Sequence, residues 1–283
     1  MKKLIVVLGP TAVGKTAYAI ELAKSLGTEI ISADSRQIFK ELNIGAARPS
    51  EEELALIPHH FIASATIQED YSAGRYEREA LAKLEDLYTR HDTLICCGGS
   101  MLYIDALLNG FDELPSDKNI RQEWTVKFGS EGIELLQREL QRLDPDYYTQ
   151  VDIHNPHRLI RAIEVCTVAG MPYSAMRKAH VKIRDFEVEK IGLDMPREKL
   201  YARINNRVLQ MMDAGLEEEA RSLIPFKHLQ ALNTVGYKEL FDFFDGKCSR
   251  EEAIEKIQQH TRNFAKRQLT WWRRAKDIRW VEL

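Results

Sequence analysis

The chain has 283 residues, of which 44% are hydrophobic and 29% are charged, and its formal net charge is −3. These proportions are typical of a globular protein and exclude a collagen, a coiled coil and a disordered tail protein. The length allows one large domain or two modest ones. A polycation over the whole chain is excluded, although local basic surfaces remain possible.

The N-terminal sequence predicts neither a signal peptide nor a membrane span. Only residues 4–8 are apolar between Met1-Lys2-Lys3 and Gly9-Pro10, and no apolar run approaches the roughly 20 residues that a bilayer requires. The cysteines, at positions 96, 97, 166 and 248, lack C-x-x-C spacing. We therefore expect a cytoplasmic protein with free thiols, without a membrane segment, a disulfide framework or a cysteine zinc site.

The first predicted element is a buried strand that leads into a phosphate-binding loop. Leu4 to Leu8 is a continuous β-favouring apolar run, as in a parallel sheet covered on both faces. It is followed by Gly9-Pro10-Thr11-Ala12-Val13-Gly14-Lys15-Thr16, which matches the P-loop pattern G-x-x-x-x-G-K-[ST]. The apolar spacing from Lys15 to Leu26, with Gly27 after it, predicts a helix.

This motif has a direct chemical interpretation. Its glycines let backbone N–H groups turn toward a phosphate, and the start of the helix adds partial positive charge. The Lys15 ammonium adds a full positive charge, and the Thr16 hydroxyl is a candidate ligand of Mg²⁺. Residues 9–16 are therefore predicted to bind phosphate groups.

A second strand is predicted over residues 29–33, and it ends at Asp34-Ser35-Arg36-Gln37. Ligands of open α/β sheets bind beyond the carboxyl ends of the strands, so Asp34 is expected near the mouth of the phosphate site. The alternative is an aspartate that caps a turn or a helix, and position alone does not decide between the two.

The next predicted elements are an amphipathic helix over residues 69–90 and a buried strand over 93–97 that ends in Gly98-Gly99-Ser100. The strand lacks the terminal aspartate of a Walker B motif, and no Asn-Lys-x-Asp guanine-specificity motif follows. Both observations count against GTPases and motor-type ATPases. A nucleotide or metabolite kinase and other transferases remain.

The pattern then becomes largely helical from residue 117 to residue 187, with breaks at Asp144-Pro145, Asn155-Pro156 and Met171-Pro172. A strand-like run over 186–193 restores the α/β alternation. We therefore predict an α/β core of residues 1–116 and 188–283, and an inserted helical subdomain of residues 117–187.

Two segments are strongly basic in a nearly neutral chain. Residues 154–184 have an excess charge of +5, and residues 256–279, on a helix that packs through Ile254 to Trp272, have +7. Concentrated positive charge of this kind indicates a polyanionic partner. Solvated helix faces are the alternative explanation, and Trp271 and Trp272 are more typical of a core than of a base-stacking surface.

Together these motifs resemble the tRNA dimethylallyltransferases, also called tRNA isopentenyltransferases, of bacterial type. Beside the P-loop, the matching segments run from Ser32 to Gln37, Asn43 to Pro49, Gly98 to Tyr103, Asn155 to Ala162, Thr234 to Lys238 and Thr261 to Trp271. Phe39, Ser100 and His157 depart from the tyrosine, threonine and glutamine that are common in the family. The cysteines of the eukaryotic zinc-finger extension are absent from the sequence.

The resemblance implies a P-loop NTPase-like fold and a defined reaction. A dimethylallyl group would pass from dimethylallyl diphosphate to the exocyclic amine of the adenine 3′ of the anticodon. Residues 9–16 would hold the diphosphate, with Mg²⁺ on Thr16, and Lys15 and Arg207 would stabilise its growing charge. Asp34 would accept the proton of the amine.

The same resemblance implies contacts with the tRNA anticodon stem-loop, to which the inserted subdomain of residues 117–187 would bind. The tetrad Asp34, Ser35, Arg36 and Gln37 would hold the flipped base. The segment His157, Arg158, Leu159, Ile160 and Arg161 would grip the flanking loop, and Ser100 and Arg121 are further candidates. We expect a monomer.

Two rival functions share part of this pattern. A small-molecule or nucleotide kinase with a helical lid would share the P-loop, the sheet and the basic insertion, but it would bind ATP instead of an allylic diphosphate. A non-catalytic RNA-binding module would explain the basic segments and leave the P-loop without a purpose.

Overall fold

The computed structural model of the chain describes residues 2–112, 114–177 and 182–283. It separates into two compact units. The first unit consists of Met1–Leu108 and Ile183–Leu283, and the second of Asn109–Lys182.

The first unit is built on a parallel sheet, for which the described residues supply six strands. They are β1 (Lys3–Leu8), β2 (Ile30–Ser32), β3 (His59–His60), β4 (Thr93–Cys97), β5 (Glu187–Asp194) and β6 (Ile278–Glu282). Their order is β3-β2-β4-β1-β5-β6, and every pair is parallel. All carboxyl ends therefore lie at one edge. This confirms the predicted P-loop NTPase-like α/β fold.

The helices, in chain order, are α1 (Lys15–Leu26), α2 (Glu51–Leu56), α3 (Ala73–Leu87), α4 (Met101–Asn109), α5 (Lys118–Glu131), α6 (Ile133–Leu143), α7 (Pro145–Tyr148), α8 (Pro156–Ala169), α9 (Tyr173–Met176), α10 (Arg197–Asp213), α11 (Leu216–Ser222), α12 (Tyr237–Phe244) and α13 (Arg250–Trp272). Helix α1 has the predicted bounds, and Gly27 ends it in the left-handed conformation. Helix α3 is shorter than the predicted 69–90, because the Ser72 hydroxyl accepts the Arg75 N–H and fixes its start.

Strand β1 is covered on both faces, as its uninterrupted apolar run predicts. Leu4, Val6 and Leu8 pack in one cluster with residues of α3 and α4. Ile5 and Val7 point to the other face and pack with residues of α1 and α10. Alternate side chains of a strand point to opposite faces, so a run without polar residues requires helices on both sides.

The C-terminal basic segment forms α13 and then β6, which adds to the sheet beside β5. Ser249 and Glu252 form a capping box that starts α13 four residues before the first predicted packing position, Ile254. Trp272 is buried in the core cluster of the sheet, as favoured by the sequence. Strand β6 was not predicted, since an edge strand with alternating polar residues gives a weak apolar signal.

The second unit is helical, as its sequence predicts, and it contains α5 to α9. Helix α7 begins at Pro145, α8 begins at Pro156, and α9 directly follows Pro172, so the predicted proline breaks coincide with helix starts. Its core includes Leu136, Leu140, Leu159 and Ile163.

The bounds of the second unit differ from the predicted 117 and 187. The Arg161 guanidinium donates to the carbonyls of Leu114 and Pro115, and the Lys182 N–H donates to Asn109 O at 2.8 Å. These bonds attach residues 109–116 and 182 to the helical unit, although neither segment has helical periodicity. At the other end β5 already begins at Glu187.

No described helix is long and apolar enough to cross a membrane. All four cysteines are free, as their spacing predicts.

Candidate active site

The loop after β1 curls at the carboxyl edge of the sheet. Gly9 has φ of +143°, and a Cβ there would lie 2.5 Å from Leu193 O of β5, so only glycine fits. Ala12 takes a left-handed φ of +65°, which is a strained conformation for an alanine. The loop then enters α1 at Gly14. The predicted P-loop sequence therefore forms a tight loop between the central strand and a helix N-terminus.

The Lys15 ammonium lies over this loop. Its Nζ donates to Gly9 O at 3.1 Å and to Pro10 O at 2.8 Å. The pKa of Lys15 is lowered to about 8, mainly by burial, with a smaller lowering by the charge of Arg207, while Cys97 and Asp34 oppose the shift. The side chains of Lys15 on α1, Arg207 on α10 and Asp34 after β2 are thus close enough for the charge of one to shift the pKa of another.

A second cationic residue, Arg207, reaches the same place from α10. Burial lowers the pKa of its guanidinium, Asp34 raises it and Arg203 lowers it. Arg203 lies one helical turn earlier, and its Nη2 is 3.8 Å from the position that a Cβ on Gly14 would occupy. Arg203 was not identified from the sequence. Because residues four apart lie on one face of a helix, its spacing from Arg207 could have identified it.

The sequence position of Asp34 left two alternatives open, a place near the phosphate site and a turn cap, and the structure shows both. Its Oδ1 accepts the N–H groups of Arg36 at 2.8 Å and Gln37 at 3.2 Å, which is the bonding of a turn cap. Its Oδ2 makes no hydrogen bond within the described residues. One carboxylate oxygen thus shapes the tetrad, and the other is available for chemistry.

The rest of the tetrad is held by short polar contacts. The Ser35 N–H donates to Ser100 Oγ at 2.8 Å, which joins the loop after β4 to the loop after β2. The Gln37 amide donates to Ala47 O at 2.9 Å. Burial lowers the pKa of the Arg36 guanidinium, which the charge of Asp34 opposes. The structure therefore brings the tetrad and Ser100 together.

Gln268 of α13 ties the P-loop to the neighbouring strand, a role that sequence reasoning missed. Its Oε1 accepts the Thr11 N–H at 2.8 Å, and its Nε2 donates to Gly99 O at 2.9 Å. The side chain is fully buried. Gln268 lies within the family-like segment Thr261 to Trp271, but nothing in its sequence position indicates this role.

The Thr16 hydroxyl sits in the first turn of α1 and makes no hydrogen bond to any described group. The described residues contain no cluster of three or more His, Cys, Asp or Glu side chains that could hold a metal ion. A metal beside Thr16 would therefore take its remaining ligands from substrate and water, which is how Mg²⁺ is commonly held in proteins.

In the second unit, the predicted RNA-binding segment has two different faces. His157 and Arg158 are exposed in the first turn of α8, whereas Leu159 and Ile160 are buried in the core of the unit. Of these four residues, only His157 and Arg158 could therefore contact RNA.

Arg161 and Arg121 share one buried partner. Glu164 is fully buried, and its carboxylate accepts from Arg121 at 3.0 Å, from Arg161 at 3.0 Å and from the Asp117 N–H at 2.9 Å. Both guanidinium groups are thereby held in place, and each keeps part of its surface in solvent.

The second basic segment presents positive charge in the first unit. Lys266, Arg267, Arg273 and Arg274 are exposed along and just after α13. Only Arg273 of these four forms an ion pair among the described residues, with Asp194 at 2.7 Å.

A parallel sheet with a P-loop sequence after its central strand, and a helical unit inserted before β5, defines the class as a P-loop-like α/β enzyme. The family described as IPP transferase matches residues 37–275. The chain is 49% identical over 281 residues to tRNA dimethylallyltransferase 2 of Azobacteroides pseudotrichonymphae, covering 99% of this chain and 92% of the relative. It is 50% identical over 280 residues to the tRNA dimethylallyltransferase of Christiangramia forsetii, covering 99% and 93%.

Solved structures agree with this assignment. The tRNA isopentenylpyrophosphate transferase of Bacillus halodurans is similar with a TM-score of 0.72 and 34% identity, over 100% of this chain and 90% of that one. A eukaryotic dimethylallyltransferase acting on tRNA is similar with a TM-score of 0.80 and 26% identity, over 100% of this chain and 74% of that one. The chain belongs to the tRNA dimethylallyltransferase family, bacterial type, and is a prenyltransferase.

Proposed function

We propose that this enzyme transfers a dimethylallyl group from dimethylallyl diphosphate to the exocyclic amine of the adenine 3′ of the anticodon in tRNA. The family supports the reaction class, and the names of its relatives support the substrates. The observation that carries the proposal is the convergence of Lys15, Arg207 and the unbonded Oδ2 of Asp34 at the carboxyl edge of the sheet.

The cations would act on the leaving group. As the allylic C–O bond breaks, negative charge grows on the diphosphate, and preorganised positive groups stabilise that change. Lys15 and Arg207 would do this beside the loop, and the N-terminus of α1 would add its partial charge. Arg203 is a further candidate at the same loop.

The donor set fits Mg²⁺. Thr16 would hold the ion through its hydroxyl, with the diphosphate and water supplying the other hard oxygen ligands. The chemistry that a bound Mg²⁺ supplies is neutralisation of diphosphate charge.

Asp34 would act as the general base. The amine nitrogen forms a bond to the allylic carbon, the diphosphate leaves, and the amine proton passes to Asp34 Oδ2. Because Oδ1 is held by the N–H groups of Arg36 and Gln37, the carboxylate has a fixed direction in which to receive that proton.

The tRNA would be held by both units. Enzymes that modify a base commonly take it out of the stack, and we assign the base to the Asp34–Gln37 tetrad beside Ser100. The exposed His157 and Arg158 of α8, and the basic face of α13, would contact phosphates of the anticodon stem-loop.

One experiment tests the function directly. The protein is incubated with unmodified tRNA, dimethylallyl diphosphate and Mg²⁺, and the digested nucleosides are analysed by mass spectrometry, with a parallel reaction containing ATP. We expect the mass of one dimethylallyl group on a single adenosine. Phosphate transfer from ATP without any prenylated nucleoside would instead identify a kinase.

A further inference from the structure

Two of the family-like segments, Asn43 to Pro49 and Thr234 to Lys238, have no part in the proposed chemistry. In the structure they meet at Glu219 of α11. The Glu219 carboxylate accepts the backbone N–H groups of Asn43 at 3.2 Å, Ile44 at 2.8 Å and Gly45 at 3.0 Å. It also accepts the hydroxyl of Tyr237. One side chain thus holds three consecutive amides of a loop and one buried phenol.

The contacts around Glu219 leave little freedom to that loop. Hydrogen bonds from backbone N–H groups to a carboxylate are stronger than neutral ones. Burial raises the pKa of the Tyr237 hydroxyl, as does Glu219 itself, so the phenol stays a donor. A Cβ on Gly45 would lie 2.5 Å from the Tyr237 ring, so glycine is required for the ring to pack there.

The same loop fixes the last residue of the tetrad. The Gln37 amide nitrogen donates to Ala47 O at 2.9 Å and, more weakly, to Ala46 O at 3.4 Å. Carbonyl oxygens can only accept, so they hold the amide nitrogen toward the loop, and Gln37 Oε1 faces the other way, where it accepts a weak hydrogen bond from the Ser32 hydroxyl at 3.5 Å. The Ala47 N–H in turn donates to Ile44 O at 2.9 Å. A continuous set of hydrogen bonds therefore runs from Glu219 through the loop to Gln37.

We propose that Glu219 is a positioning residue for tRNA recognition, which acts by holding residues 43–47 so that Gln37 presents its amide in one orientation. This inference rests on the proposed function, in which the tetrad binds the target base. The Glu219 carboxylate is engaged by three loop N–H groups and the Tyr237 hydroxyl, so it would act through the loop and not by touching the base.

The test is steady-state prenyl transfer by Glu219→Gln, with tRNA and dimethylallyl diphosphate varied separately. The substitution keeps the size but replaces one acceptor oxygen with an amide donor, which faces the loop N–H groups. We expect the KM for tRNA to rise on the order of tenfold and the KM for dimethylallyl diphosphate to stay unchanged. A merely structural defect would lower the active fraction, and thus kcat, without changing the KM for tRNA.

Glu217→Gln is the matched control, because Glu217 lies on the same helix and pairs with Arg221 and Arg250 instead of the loop. It should leave both KM values unchanged. If Glu219→Gln does not fold, Tyr237→Phe removes a single donor to Glu219 and keeps the buried ring. Tyr237→Phe should also raise the KM for tRNA, by a smaller factor than Glu219→Gln.

A double-mutant cycle tests the route through Gln37. In a Gln37→Ala background, Glu219→Gln should cause no further rise in the KM for tRNA, since the residue through which it acts is gone. The inference would be overturned if the effects of Glu219→Gln and Gln37→Ala on the KM for tRNA multiply, or if both Glu219→Gln and Tyr237→Phe leave that KM unchanged. In either case a wild-type protein that prenylates tRNA would still support the proposed function. A wild-type protein that prenylates no tRNA would overturn both.

Discussion

Lys15 is an ammonium group held in a buried position close to a second cation. Burial lowers its pKa from 10.5 to about 8, so its charge is sensitive to conditions only slightly above neutral. The unfolded state binds more protons than the folded state between these values, so the contribution of Lys15 to stability rises with pH there. A loss of activity in this range would therefore reflect the charge of Lys15 and not unfolding at this group.

We expect kcat/KM for dimethylallyl diphosphate to decrease as the pH rises through about 8, because deprotonated Lys15 no longer attracts the diphosphate. The measurement is a pH–rate profile for transfer to saturating tRNA. Lys15→Arg remains charged over the whole range and should lack this limb. A wild-type profile that stays flat to about pH 9.5, or the same limb in Lys15→Arg, would contradict the assignment.

For single residues, the sequence predicted the proposed reacting groups of the first unit's site better than the residues that hold its loops in position. Lys15, Asp34 and Arg207 could be named because a P-loop pattern, a strand end and a family resemblance point to them. Gln268 and Glu219 could not be assigned, because each acts through backbone groups that are distant in sequence. Glutamate and glutamine in helices are usually exposed, so nothing in their local pattern distinguished them.

Glu29 organises several elements at the amino-terminal end of β2, one residue before the strand. Its carboxylate contacts His60 at 2.7 Å, His91 at 3.1 Å and Arg90 at 3.2 Å, so it joins β3 and the segment before β4 to β2. Burial raises the pKa of Glu29, but hydrogen bonds from these three side chains outweigh it and bring the pKa to about 2.

Glu29→Gln should therefore lower the free energy of unfolding by about 2–3 kcal/mol at pH 7. The folded pKa lies below the usual value of 4.5, so this stabilisation is complete above that pH and disappears as the pH falls toward 2. Urea unfolding of both proteins at several pH values measures it. Glu21→Gln, at an exposed ion pair with Lys24, serves as the control. The account would be contradicted if the difference in the free energy of unfolding between wild type and Glu29→Gln does not decrease as the pH falls.

The first turn of α8 contains the exposed residues His157 and Arg158 of the predicted RNA-binding segment. Arg158→Ala should weaken tRNA binding and reduce the slope of log K against log salt by about 1, as expected for one lost phosphate contact. Filter binding at several salt concentrations measures this slope. Arg142→Ala, at an exposed arginine of the same unit that pairs with Glu139, should leave the slope unchanged. Equal slopes for Arg158→Ala and wild type would show that Arg158 is only a solvated side chain.

Elements with a strong apolar signal were predicted well, and those stabilised mainly by pairing were not. Strand β1 and helix α1 follow directly from their patterns and from Gly27. Strand β3 has only two residues and β6 is an edge strand with Arg279 and Glu282 exposed, so neither has the uninterrupted apolar run of a central strand. The proline breaks of the second unit were reliable, because proline at a helix start needs no hydrogen-bonded N–H.

For the whole molecule, the division into two units implies that each has its own source of stability. The first unit has the sheet and its two covering layers of helices. The second has a smaller apolar core, and its described residues include two buried carboxylates, Asp144 and Glu164. The net charge of −3 is compatible with RNA binding because positive charge is concentrated in residues 154–184 and 256–279.

Glu164→Ala should destabilise the second unit by about 2–4 kcal/mol, since it leaves two arginines and the Asp117 N–H without their shared acceptor. Hydrogen exchange should accelerate in α5 and α8, and binding of dimethylallyl diphosphate to the first unit should be preserved. The matched control is Glu123→Ala, at an exposed pair with Lys127, which should change little. Uniformly faster exchange in both units would contradict independent stabilisation.

The central claim is that Asp34 takes the amine proton while the P-loop binds the diphosphate, and single-turnover transfer by Asp34→Asn tests it most directly. Asparagine keeps the size and the Oδ1 acceptor for the Arg36 and Gln37 N–H groups, so the tetrad and its affinity for both substrates should be preserved. It cannot accept the proton, so with saturating tRNA and dimethylallyl diphosphate the rate should fall by about 10²–10⁴-fold. A rate within about threefold of wild type would contradict the account and leave Asp34 as a turn cap alone.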